Sequence, residues 1–287
     1  MRRTEKARPA PRPVFTKAMR ETHTILAPQM APLHFDILKS AINHSGYHLE
    51  VLPSVSPRAI ELGLTYVHND ACYPAIVVIG QLLDALKNGQ CDPNRTALML
   101  AQTCGPCRAS NYPALLRKAL QEAGFGQVPV LTMTSGDVNR HPGFSISAKL
   151  FHRMILGCLY GDMLQRVSMS CRSNELHEGD TDELLHSWLR RARSSSVWGD
   201  SAVFREHMHE IVRDFSGIRL DGVPRPKVGI VGEILLKYHP DANNQVAQHI
   251  REEGGEPVLT DLMDFFLYCS MDPVYSWRRL GGRVLPA

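Results

Sequence analysis

Three cysteines stand in two short phrases of this sequence, Asn69-Asp70-Ala71-Cys72-Tyr73-Pro74 and Thr103-Cys104-Gly105-Pro106-Cys107-Arg108. Each phrase falls where the surrounding pattern predicts entry into a helix. The free N–H groups and positive dipole end of a helix N-terminus favour a thiolate. Thiolates gathered at such places do one of two things: they bind a soft metal or cluster, or they exchange electrons as a dithiol.

The dithiol reading rests on Cys104-Gly105-Pro106-Cys107, which matches the active-site tetrapeptide of thioredoxins and lies between a predicted strand and a predicted helix. Against it, the strand and helix run ahead of the motif is too long for a thioredoxin domain, and Thr103 rather than an aromatic residue precedes Cys104. The metal reading adds Cys72. In a parallel sheet, the loops after neighbouring strands meet along the carboxyl edge, where ligands bind, and both phrases are predicted there. Two buried structural cysteines are the plain alternative.

The elements that must position these residues alternate. Thr24 to Pro28 reads as a buried strand, Leu33 to Ser45 as a helix stopped by Gly46, and His48 to Leu52 as a strand. Pro74 opens a helix with a broad apolar face, Ala97 to Ala101 is a strand, Pro113 to Ala123 a helix and Val128 to Leu131 a strand. Units of this kind predict a parallel-sheet α/β domain, flavodoxin-like or Rossmann-like, over 21–140. Residues 1–20 are predicted to be a disordered lead-in and 141–224 a helical connector without strands. Alternation resumes at Val228 to Gly232, with a helix from Asn243 to Glu253 and a strand at Pro257. A second α/β domain therefore begins near 225, and 225–287 is too short to bury a parallel sheet of its own.

The bulk numbers exclude several classes. A net charge of +3 over 287 residues implies no nucleic-acid partner. No apolar run approaches a membrane span, and the basic, proline-rich N-terminus has no apolar core to act as a secretory signal, so the cytoplasm is the expected compartment. There, the seven cysteines are expected to be reduced, buried or metal-bound rather than a disulfide framework. No phosphate loop, H-E-x-x-H zinc helix or G-x-S-x-G elbow occurs. His207 and His209, two apart on a predicted helix, read as surface residues facing different sides.

The strings Asn69 to Pro74, Gly105-Pro106-Cys107-Arg108-Ala109-Ser110-Asn111-Tyr112 and Val228-Gly229-Ile230-Val231-Gly232-Glu233-Ile234, with Asn243-Asn244 after them, resemble the 2-hydroxyacyl-CoA dehydratase superfamily. More narrowly, they are similar to the dehydratase-like C-terminal region of the large CoA-substrate-specific enzyme activases. The resemblance runs from about residue 15 to 270. It implies flavodoxin-like domains holding an iron–sulfur cluster, [4Fe-4S] or double-cubane, with Cys72 and Cys107 as ligands. Cys104 stands where similar sequences often carry glycine, as an extra ligand or a bystander. It further implies low-potential electron transfer to a substrate such as an acyl-CoA, an ATP-dependent activator as electron donor, and a homo- or heterodimer. A further family cysteine belongs deep in the second domain, past the point where this sequence stops, so the isolated chain is expected to lack turnover. Cys269, after Phe265-Phe266-Leu267-Tyr268, reads as core rather than ligand, although the remaining cluster ligands are left to a second subunit, Cys269 or an exogenous thiol; Cys91, Cys158 and Cys171 are weaker ligand candidates still. The alternatives left open are a thiol–disulfide protein using Cys104 and Cys107 and a non-catalytic iron–sulfur or interaction module.

Overall fold

A computed structural model describes residues 12–53, 55–68, 70–102, 107–133 and 140–281. The apolar runs form a four-stranded parallel sheet of β1 (Thr24–Ala27), β2 (Leu49–Val51), β3 (Thr96–Leu100) and β4 (Val130–Thr132), ordered β2-β1-β3-β4. Ile25 lies opposite Leu49 on one side and Ala97 on the other, and Leu98 lies opposite Val130. Every residue of β3 and β4 is buried, as a parallel sheet covered on both faces requires. The predicted α/β class is what the chain adopts.

Two compact units result: residues 1–28 with 46–145, and residues 29–45 with 146–287. In the first, a short helix α1 (Met19–Thr22) precedes β1. The helix leaving β1, α2 (Pro32–His44), belongs to the second unit. Of the predicted disordered lead-in, residues 1–11 lie outside the described residues, but residues 12–20 are a correction. Phe15 is fully buried, its N–H donates to His141 Nδ1 at 3.0 Å, and its carbonyl accepts from Gly143 N–H at 3.0 Å.

Between β2 and β3 the chain builds two helices rather than the one expected. The first, α3 (Pro57–Tyr66), starts at Ser56, whose hydroxyl accepts from Ala59 N–H at 3.0 Å, with proline in its first turn. The Ser56 hydroxyl in turn donates to Asp84 at 3.0 Å. The second, α4 (Tyr73–Lys87), buries Ile76, Ile79, Leu82 and Leu83. These helices touch backbone to backbone. A Cβ at Gly63 would overlap the Ile76 carbonyl oxygen, and one at Gly80 would overlap the Ala59 carbonyl oxygen. Because residue 63 meets 76 and residue 59 meets 80, α3 and α4 run antiparallel, and the start of α4 lies beside the end of α3. After β3, a 3-10 turn over Arg108–Asn111 leads into α5 (Tyr112–Glu122).

In the second unit, α6 (Ala148–Asn174), α7 (Asp180–Trp198) and α8 (Ser201–Ser216) pack with α2 around Ile37, Tyr160, Leu164, Trp188, Ile211 and Phe215. Asp162 on α6 is buried and is the polar centre of this unit. It accepts from His34 Nε2 at 2.8 Å and from the N–H groups of Leu262 and Met263 at 2.6 and 3.0 Å. Only glycine at 161 leaves room for the His34 ring. The chain then forms β5 (Lys227–Gly229), α9 (Ile234–Tyr238), α10 (Val246–Glu252) and β6 (Glu256–Val258), with β5 and β6 paired in parallel. The last described helix is α11 (Leu262–Leu280), whose first N–H groups are the ones Asp162 caps. Cys269 is a correction. The apolar run before it lies on α11 with Phe266, Leu267 and Tyr268 exposed, so Cys269 is exposed rather than part of a core. No helix among the described residues is long and apolar enough to cross a membrane.

The glycine contacts between α3 and α4 give a direct test. Alanine normally improves a helix over glycine by about 1 kcal/mol, but here two backbones would have to part. Gly63→Ala and Gly80→Ala should each destabilise the chain by at least about 2 kcal/mol, read as a lower midpoint in urea or thermal unfolding. A midpoint equal to or above that of the parent would disprove the close approach.

Candidate thiol site at the carboxyl edge

Cys72 is the N-cap residue of α4, with φ −64° and ψ 148°, and its carbonyl accepts from Ala75 N–H at 2.9 Å. Its side chain does not cap the helix. The half-buried Sγ instead shares a hydrogen bond with the Tyr112 hydroxyl at 2.8 Å, and Tyr112 is the first residue of α5. Cys107 is exposed and caps the 3-10 turn ahead of α5, its carbonyl accepting from Ser110 N–H at 3.1 Å. Arg108, next to Cys107, donates a hydrogen bond to the Asp70 carbonyl, two residues before Cys72. The two cysteine phrases are therefore joined twice, once through side chains and once through a guanidinium.

Topology explains why they meet. A helix that joins two parallel strands must run against them, so its N-terminus lies at the carboxyl edge of the sheet. Both α4, which leads into β3, and α5, which leads out of it, start there. Between them lies a cleft of about 290 Å³ lined by His68, Asp70, Cys72, Arg108, Asn111, Tyr112 and Leu115. Both helices open with the same dipeptide, Tyr73-Pro74 and Tyr112-Pro113. Tyr73 is exposed, while Tyr112 turns inward to the thiol.

Of the three cysteines singled out from sequence, Cys72 lines this cleft, Cys107 stands next to its lining residue Arg108, and Cys104 lies outside the described residues. Tyr112 and Arg108 were not singled out. The repeated Tyr-Pro opening was the available signal for Tyr112. Among the described residues no group of three His, Cys, Asp or Glu side chains converges on one point. In kind, the donors suit a soft centre: two thiols with a phenol hydrogen-bonded to one of them. In number they supply two of the four thiolates that a cubane site uses.

The remaining cysteines are differently placed. Burial, with Asp162 nearby, pushes the Cys158 thiol up to about 12, and burial raises those of Cys91 and Cys171 as well. These three stay protonated thiols at neutral pH. A larger cleft in the second unit, about 620 Å³, holds Asp180, Glu183 and Asp214 and no thiol. Its Asp214 already accepts from the Trp188 indole at 3.1 Å. His207 is another correction: it is half-buried, 2.8 Å from the Tyr160 hydroxyl, with burial lowering its pKa, whereas His209 faces solvent. No family model, curated protein or solved structure matches the chain.

Thiol alkylation of the native chain should modify Cys107 and Cys269 first and Cys158 only on unfolding, read by peptide mass spectrometry. The sign of the Cys158 effect is set by its direction. A thiol held protonated to about 12 in the fold, against 9.0 unfolded, contributes fully below pH 9 and loses that contribution as pH rises toward 12. Cys158→Ala should flatten this part of the stability profile. Rapid native labelling of Cys158 would contradict its burial.

Proposed function

We propose that the carboxyl edge of the four-stranded sheet binds an iron–sulfur cluster through Cys72 and Cys107, with Cys104, three residues earlier in sequence, as a further candidate ligand. On this reading the chain is an electron-transfer component of a system like the 2-hydroxyacyl-CoA dehydratases and their activases. The observation that carries the reading is the hydrogen bond between Cys72 and Tyr112, which ties the first cysteine phrase to the helix that the second one opens. The resemblance in the same phrases supports it. When bound, such a group supplies one-electron chemistry at a potential set by charge, burial and hydrogen bonds to sulfur.

The residues of this chain have definable tasks around it. Cys72, in the cleft, and Cys107, beside its lining residue Arg108, supply thiolate ligands. The Tyr112 hydroxyl, set against the Cys72 sulfur, donates to it once that sulfur is a metal-bound thiolate with no proton of its own. Arg108 ties the loop of Asp70 to the loop of Cys107 and brings positive charge to the cleft. With two ligands from these residues, the remainder come from Cys104, Cys269, a second subunit or an exogenous thiol. On this reading electrons arrive from an ATP-driven activator, as the resemblance implies.

Anaerobic reconstitution of the full chain tests this. The parent should bind iron and sulfide and show broad absorption near ~400 nm. Cys72→Ser and Cys107→Ser should each lose it, and Cys158→Ser should keep it. Tyr112→Phe should retain iron but lower the midpoint potential by roughly 60 mV, the one-electron equivalent of one hydrogen bond to a charged acceptor. A chain that binds no iron, while Cys104 and Cys107 cycle reversibly to a disulfide, would replace the cluster by the thiol–disulfide reading.

A further inference from the structure

Helix α8 is held against α6 and α7 in two different ways along its length. Its second half is fixed by apolar burial, through Ile211 and Phe215. In its first half Ser201, Ala202, Val203, Arg205 and Glu206 are exposed. What ties that half down is Phe204, edge-on to the Tyr160 ring at 4.9 Å, and His207, whose Nδ1 lies 2.8 Å from the Tyr160 hydroxyl. Tyr160 is fully buried on α6, and its hydroxyl donates to Ser195 of α7 at 2.9 Å. A phenol has one proton to give, so its oxygen accepts from His207 Nδ1–H in that arrangement.

The same bond sets the imidazole against the Trp188 ring of α7, with centroids 5.4 Å apart. Arg191, also on α7, lies over that indole at 3.9 Å and pairs with Glu210 of α8. The charged and titratable groups facing the imidazole among the described residues are therefore Tyr160 from α6, Arg191 from α7, and Glu206 and Glu210 from its own helix. Glu206 is exposed and Glu210 is engaged by Arg191, so both offset a proton on His207 only weakly. Burial, with Arg191 adding to it, holds the His207 pKa below its ordinary 6.5. A group lowered in this way favours the docked form while neutral. Its contribution is complete above pH 6.5 and is lost as pH falls through the lowered value.

We propose that His207 is an acid-sensitive clasp: when its imidazole takes up a proton, the first two turns of α8 leave Tyr160 and Trp188, while the turns around Ile211 and Phe215 stay docked. The opening gives water access to the Tyr160 hydroxyl and the Trp188 ring, which the closed unit buries. The clasp works whether or not the thiol edge binds iron.

Amide hydrogen exchange of the full chain, corrected for the intrinsic pH dependence of exchange, tests this between about pH 7.5 and about pH 5.5. Amides of Val203 to Met208 should open about threefold or more often at the lower pH, with those of Ile211 to Phe215 unchanged. His207→Gln, whose amide keeps a hydrogen bond to Tyr160 and takes up no proton, should open equally at both. Arg191→Gln, which removes the opposing cation and frees Glu210, should shrink the response. Opening that does not differ between the two pH values overturns the proposal. So does a response retained in His207→Gln, or one shared equally by α6 and α7, which marks general acid unfolding.

Discussion

Two parallel strands can lie side by side only if the chain crosses back between them, and in this protein that requirement places the chemistry. The crossing from Val51 to Thr96 must return the backbone to the amino edge of the sheet before β3 can start, so α4 begins at the carboxyl edge and Cys72 sits at that beginning. The exit from β3 at Leu100 delivers Cys107 and Tyr112 to the same edge. The order β2-β1-β3-β4 reverses direction between β1 and β3, and ligand crevices of open α/β sheets form at such a reversal. The thiol–phenol contact follows from this winding and from two tyrosines in equivalent places, of which one turns inward.

The centre of the sheet was legible because β1 and β3 are nearly continuous apolar runs. Ile25 to Ala27 and Ala97 to Leu100 are buried on both faces and carry no polar residue to blur the pattern. α4 and α5 were legible because proline marks each first turn. The helix α3 was missed because Gly63 breaks its apolar period. That glycine is there for the close approach to Ile76, a tertiary demand invisible in the local pattern. Its start did carry a signal, Ser56-Pro57, an N-cap residue followed by proline. Within the site, the cysteines were legible by type and context, whereas Tyr112 and Arg108 act through contacts that only the fold creates.

The second unit is organised around one carboxyl group. Asp162 gathers a histidine from α2 and two backbone N–H groups from the first turn of α11, so segments far apart in sequence share one acceptor. Removing such an acceptor would leave buried donors unsatisfied. The Asp162 cap fixes where α11 begins. The apolar run at Phe265 to Tyr268 misled the sequence reading because composition alone does not tell a buried helix from an exposed one.

The pairing of β5 with β6 has a directional consequence. Glu256 N–H donates to Pro226 and the Val258 carbonyl accepts from Ile230, both at 2.9 Å, so residues 256 and 258 use their backbone groups toward β5. Residue 257 then points its backbone outward, and residue 257 is proline, with no N–H to offer. The outer margin of β6 is chemically closed to a continuing ladder. Lys227 and Gly229 point the other way from β5 and retain both donor and acceptor. This small sheet can therefore be extended in one direction only, beside β5, which makes β6 its permanent border strand.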